Sequence, residues 1–163
     1  MIFFSVAQWY PRMCVYDDIR GWNTDPYLGA GEFYLEYGDF DVAITVPSNH
    51  IVVAGGKLEN PREVLTDEQW QKYQEALVSD KTVIIRSEKE SRQQELRNGI
   101  DKLTWRFKLS NARDFAWASS TSFVWDAARI NLANGKTAMA QSVYPVQSAG
   151  KKGWGRSTEY TKA

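Results

Sequence analysis

The stretch Asp39-Phe40-Asp41-Val42-Ala43-Ile44-Thr45-Val46-Pro47 alternates between large apolar residues and small or polar ones. A side-chain period of two belongs to an extended strand, whose successive residues face opposite ways. Phe40, Val42, Ile44 and Val46 therefore point to a core, while Asp39, Asp41, Ala43 and Thr45 face away from it. Pro47 has no amide hydrogen for a ladder and ends the strand. Phe33–Tyr37 before this run and Ile51–Ala54 after it read as further strands, punctuated by Gly38 and by Gly55-Gly56. Val83–Arg86 and Thr104–Leu109 follow the same grammar. The expected fold is all-β, with two or more packed antiparallel sheets and one connecting helix. Seven Trp, eight Tyr and seven Phe fit that class, because aromatic side chains suit pleated, half-buried surfaces.

The helix is signalled over residues 67–78. Thr66 can cap it, Gln69 completes a capping box, and Asp67 and Glu68 favour the positive end of the dipole. Trp70, Tyr73 and Leu77 share one face at helical spacing. Asn134-Gly135 predicts a two-residue type I′ hairpin that pairs Ala133 with Lys136 and Ile130 with Met139. Ser87 to Lys102 is charged and nearly free of large apolar residues, which predicts an exposed connection with a helical turn within Glu90–Arg97. From Gln147 the chain turns small, basic and Gly-containing, so residues 1–146 read as the domain and 147–163 as a linker.

Charge excludes some classes. Twenty basic residues balance twenty acidic ones, and a nucleic-acid binder needs a surplus of Lys and Arg to neutralise phosphates. No stretch approaches the length of a membrane-spanning helix. Cys14 stands alone, so no disulfide or cysteine metal set forms within the chain. The sole histidine, His50, lacks the HExxH partners of a metallopeptidase zinc site and the G-x-S-x-G context of a serine hydrolase, and reads as a turn or strand-edge residue. Gly29-Ala30-Gly31 precedes a strand, the reverse of a nucleotide fingerprint. Asp17, Asp18 and Asp25 do not have the spacing of a calcium loop and read as turn aspartates. Trp9, Tyr10, Trp22 and Tyr27 bracket a loop and could form a sugar-stacking platform, although packing within a β-fold also accounts for them.

Three segments together resemble the N-terminal domain of the zinc aminopeptidases related to aminopeptidase N. They are Ala7–Asp18, containing Gln8-Trp9-Tyr10-Pro11; Gly31–Val42, leading through Ile44-Thr45-Val46-Pro47; and Asn111–Ser120, followed by Phe123-Val124-Trp125-Asp126. They stand in the family's order, and the resemblance is closest to a bacterial branch with a Gln-Trp-Tyr-Pro motif. It implies a saddle-like β-sandwich packed against a catalytic domain that carries G-x-M-E-N, HExxH and the zinc. Neither motif occurs in this sequence. The expectation is therefore a domain without its own cofactor, inactive alone and missing its first strands, with an open edge that favours self-association. Its partners would be its own catalytic domain and the N-terminus of a peptide substrate. The family's substrate-pocket glutamine falls by motif on Gln8, whose amide oxygen would accept from the substrate ammonium; a Gln8 hydrogen-bonded inside the sheet is the alternative. For the chain as a whole, the alternative reading is an aromatic-rich module that binds carbohydrate or protein.

Overall fold

A computed structural model describes residues 2–26, 29, 33–93, 95–97, 99–150 and 152–163. The strands in chain order are β1 (Phe3–Val6), β2 (Tyr16–Asp17), β3 (Gly21–Trp22), β4 (Gly38–Pro47), β5 (Ile51–Ala54), β6 (Lys57–Leu58), β7 (Val83–Arg86), β8 (Lys102–Ala112), β9 (Trp117–Ser120), β10 (Phe123–Asn131) and β11 (Thr137–Pro145). The helices are α1 (Pro61–Val64), α2 (Asp67–Val78), α3 (Glu88–Ser91) and α4 (Ser157–Lys162). The strands form antiparallel sheets in the orders β1-β9-β5, β11-β10-β7, β2-β3 and β4-β8-β6, so the all-β expectation holds.

The alternating run becomes β4, paired with β8 from Gly38↔Ala112 to Pro47↔Lys102. Its apolar set faces inward: Ile44 and Val46 join Trp105 and Phe107 of β8 in the core. On the wet face, Thr45 opposes Thr104 and their hydroxyls meet at 2.8 Å. Gly56 bends the chain from β5 into β6 at φ +81, and a Cβ there would stand 2.2 Å from the Lys108 carbonyl oxygen. Only glycine fits so close to a neighbouring backbone.

β10 is buried on both faces along most of its length. Phe123, Trp125 and Ala127 join the main core, where Tyr73 of α2 meets Trp125 at 5.8 Å between ring centroids. On the other face Val124 packs with Tyr144 and Val146. The capping box at Thr66 and Gln69 forms as the sequence requires. The buried face of α2 differs from expectation, comprising Gln69, Tyr73 and Ala76, while Leu77 is exposed. Trp70 is half-buried and lies stacked on Tyr73 at 6.0 Å. Gln69, Tyr73 and Ala76 stand at i, i+4 and i+7 on the core-facing side, where Ala76 is fully buried.

Several expectations need correction. Phe33–Tyr37 is not a strand; Leu35 makes one isolated bridge to Cys14, and Phe33, Tyr34 and Tyr37 are exposed. An extended preference without a partner strand gives no ladder. The hairpin is not a two-residue type I′ turn. Ile130 pairs with Ala138 and Arg129 with Met139, one residue off the expected register. Gly135 N donates to Leu132 O at 3.0 Å, Leu132 N donates to Lys136 O at 2.8 Å, and of Asn134 and Gly135 only Gly135 has positive φ. This is a three-residue loop with a glycine bulge, and Asn134 Oδ1 accepts from Lys136 N instead of sending its backbone left-handed. The helical turn after β7 is α3, starting at a Ser87–Glu90 capping box rather than lying within Glu90–Arg97. The segment expected as a linker carries α4, whose buried Thr158 donates to Ser142 Oγ at 2.9 Å.

Candidate functional site

Gln8 follows the edge strand β1 with φ +55, in the left-handed region. A residue with a Cβ rarely sits there, and holding it costs on the order of 1 kcal/mol that the surroundings must offset. The offset comes from the residues just after it. Trp9 Nε1 donates to the Phe115 carbonyl at 3.0 Å, and Tyr10 Oη donates to Asp114 Oδ1 at 3.0 Å. Arg12 Nη2 donates to both Asp114 oxygens at 2.9 Å, and Asp114 Oδ1 also accepts from Phe115 N at 2.7 Å. Tyr10 packs edge-on against Trp9 and Phe40, and the Arg12 guanidinium lies over Tyr10 and Phe33. Burial, then the hydrogen bond to Asp114, raises the Tyr10 hydroxyl above its ordinary pKa, so it stays a neutral donor. The result is a turn fastened at Trp9, Tyr10 and Arg12, with the Gln8 side chain exposed at its apex.

The proposed aromatic platform does not come together as one surface. Trp9 and Tyr10 belong to the cluster with Phe40 and Phe115. Trp22 instead packs on Tyr16 across the β2–β3 pair, with ring centroids 5.1 Å apart. Among the described residues no ring contact joins the two groups. Tyr27, Ala30 and Gly31 lie outside the described residues. Asp17 is a turn aspartate as expected, its Oδ1 accepting from Ile19 N and Arg20 N. No three His, Cys, Asp or Glu side chains among the described residues are placed to hold a metal ion.

Two polar groupings escaped the sequence reading. Arg86 closes the apolar strand β7 and is almost fully buried, donating to the carbonyls of Phe123 at 2.8 Å and Glu90 at 3.3 Å. Burial lowers its pKa to about 10, which leaves it charged at neutral pH. The Glu90 carboxylate accepts from Ser87 N and Gln69 Nε2, and Arg97 reaches Gln69 Oε1 and the Val64 carbonyl, so this network ties α2 and α3 to the sheet. The motif Ser87-x-x-Glu90 was the available signal. His50 stands in the turn before β5, its Nδ1 2.8 Å from Ser119 Oγ and its ring 6.3 Å from that of Phe4. It lines a groove of about 640 Å³ between β1, the end of β4 and β9. No sequence motif could mark this groove, because its walls come from segments more than a hundred residues apart.

Comparison with protein-family models, with curated proteins and with solved structures gives no match to this chain.

Proposed function

We propose that this chain is the non-catalytic, substrate-side N-terminal domain of a zinc aminopeptidase-like metallopeptidase. The resemblance of the Gln8-Trp9-Tyr10-Pro11, Gly31–Val42 and Asn111–Ser120 segments to that family carries the family part of the reading. The observation that carries the site is the backbone of Gln8, left-handed and exposed above a fastened turn. A sheet-internal glutamine would sit in a ladder with its amide occupied. Gln8 does neither, which favours the substrate-side reading over the structural one. Strain kept at one exposed residue by its neighbours is a pattern of binding sites.

On this reading the Gln8 amide oxygen accepts a hydrogen bond from the α-ammonium of a peptide. The amide adds no charge, so it helps to count off the first residue without competing with metal-side carboxylates. Zinc and the hydrolytic groups belong to the catalytic domain, and this chain's part is to bind and orient. Fold alone does not fix such a role, which rests on the site.

The test has two arms. The coding sequence beyond this chain should contain HExxH and G-x-M-E-N. In that full-length protein Gln8→Ala should lower kcat/KM for free-amine peptides about 10- to 150-fold, the value of one hydrogen bond to a charged group. Zinc content and folding should be unchanged. A change within about twofold would make Gln8 structural, and a downstream sequence without either motif would remove the peptidase reading.

A further inference from the structure

The groove beside His50 has the makings of a second site. Ile2, Phe4, Val46, Pro47 and Trp117 give it mostly apolar walls, and none of the described residues that line it is acidic. Its volume, about 640 Å³, falls in the range that takes small organic ligands. The polar group at its wall can be assigned a direction. Ser119 is completely buried, and among the described residues its hydroxyl has His50 Nδ1, at 2.8 Å, as its hydrogen-bond partner. A buried hydroxyl needs an acceptor for its proton; in the tautomer that supplies one, Nδ1 accepts and the ring proton resides on Nε2. Nε2 makes no hydrogen bond among the described residues and is not sealed from solvent. The imidazole thus offers the groove an N–H donor.

The field has a sign as well. After burial, the charge of the buried Arg86 guanidinium is the second cause holding the His50 imidazole neutral. A cation in the groove would feel the same repulsion, and an anion an attraction. A donor, a nearby fixed positive charge and walls without carboxylates together select one polar end group.

We propose that this groove binds a small monocarboxylate with an apolar body, the body lying on Phe4, Val46 and Trp117 and the carboxylate accepting from His50 Nε2–H. The site is separate from Gln8 and does not depend on the peptidase reading.

The chain has one histidine, so its imidazole Cε1–H resonance is unambiguous. Titration of the intact chain with 2-naphthoate should shift that resonance saturably. The matched cation 2-naphthylmethylammonium should bind about tenfold or more weakly, the difference a charge-assisted hydrogen bond makes. The neutral 2-naphthylmethanol should fall between them. Thr121→Trp, which fills the groove from its rim, should abolish naphthoate binding in calorimetry. His50→Gln, which keeps a neutral N–H donor, should retain more of it than His50→Leu. Equal affinity for the acid and the ammonium would overturn the proposal, as would a resonance that does not move up to low-millimolar naphthoate. The first comparison uses the unmodified chain, so it stands even if a variant fails to fold.

Discussion

Arg12 places a single nitrogen, Nη2, within 2.9 Å of both carboxylate oxygens of Asp114, 102 residues away, while its Nη1 is buried without a hydrogen-bond partner among the described residues. Asp114 thereby serves Arg12, the Tyr10 hydroxyl and the Phe115 amide at once. The chain just after Gln8 is held by this one carboxylate and by the Trp9–Phe115 contact.

Removing that acceptor should loosen the turn. Asp114→Ala is expected to cost about 1–3 kcal/mol, since several donors lose their partner together. Asp114→Asn should cost less, because one oxygen remains to accept from Tyr10. Urea denaturation measures both, and Trp9, half-exposed and bonded through its indole, should report the loosening by a fluorescence shift. A loss for Asp114→Ala below about 0.5 kcal/mol, typical of an uninvolved surface position, would mean that the cluster does not secure Gln8.

The hairpin permits a sharper check of turn type. Gly135→Val should destabilise the domain by more than about 1 kcal/mol, because a β-branched residue resists the positive φ seen there. Asn134→Ala should cost only about 0.5–1.5 kcal/mol, the value of its side-chain bond to Lys136 N. Were the turn type I′, both positions would need positive φ and both changes would hurt comparably. Equal denaturation midpoints for Gly135→Val and the parent would exclude the glycine bulge.

The same hairpin shows what local sequence can and cannot specify. Asn134-Gly135 announced a reversal, but a bulge and a primed turn share that dipeptide, and the choice shifted the register by one residue. Period-two alternation located β4 and β8, because burial on one face is written into the strand itself, whereas β5 and β7 showed only as short apolar runs. Phe33–Tyr37 had the right composition without a partner strand, and partnership is a property of the whole chain. Ser87–Lys102 looked too polar to bury anything, yet Ser91 is sealed and Arg97 reaches under α1, because hydrogen bonds compensate the polar groups. Gln8 could be nominated from a motif, while its left-handed backbone and its exposure could not. The His50 groove depends on three strands meeting and left no trace in any short window.

Asp126 gives a pH prediction. Its carboxyl is buried, Oδ2 accepts from the Tyr144 hydroxyl at 2.6 Å, and Oδ1 has no hydrogen-bond partner among the described residues. Burial is the largest cause, and it raises the pKa above the ordinary value of 3.8; the hydrogen bond from Tyr144 opposes it, and the Glu159 charge adds to it. A raised folded-state pKa means that the folded chain holds the proton more tightly. This contribution is full below the unfolded pKa and is lost as pH rises through the folded one. Asp126→Asn keeps an acceptor for Tyr144 and cannot ionise. Relative to the parent, the variant should therefore gain stability as pH rises from 4 towards 8, measured by urea midpoints at each pH. A parent–variant difference independent of pH would show that Asp126 does not titrate across folding.

The final prediction concerns the open edge of β1. In the order β1-β9-β5, β1 pairs among the described residues with β9 alone, so its other side presents N–H and C=O groups that no described strand pairs. Natural edge strands usually carry a charge, a proline or a bulge against unwanted pairing. Between Ile2 and Gln8 there is none of the first two, and Ile2, Phe3 and Phe4 are 70%, 54% and 51% exposed. The chain in isolation should consequently self-associate at modest concentration, with its weight-average mass rising in sedimentation experiments. Phe3→Lys puts a charge on this edge, and Phe3, unlike Phe4, does not line the His50 groove. The substitution should return the chain towards monomer, while leaving the thermal midpoint near that of the parent because Phe3 lies outside the core. A parent that sediments as a clean monomer at high concentration would show that the edge is not adhesive. If Phe3→Lys left a self-associating chain unchanged, the contact would lie elsewhere, and the exposed aromatic pair Tyr16–Trp22 would be the next surface to charge.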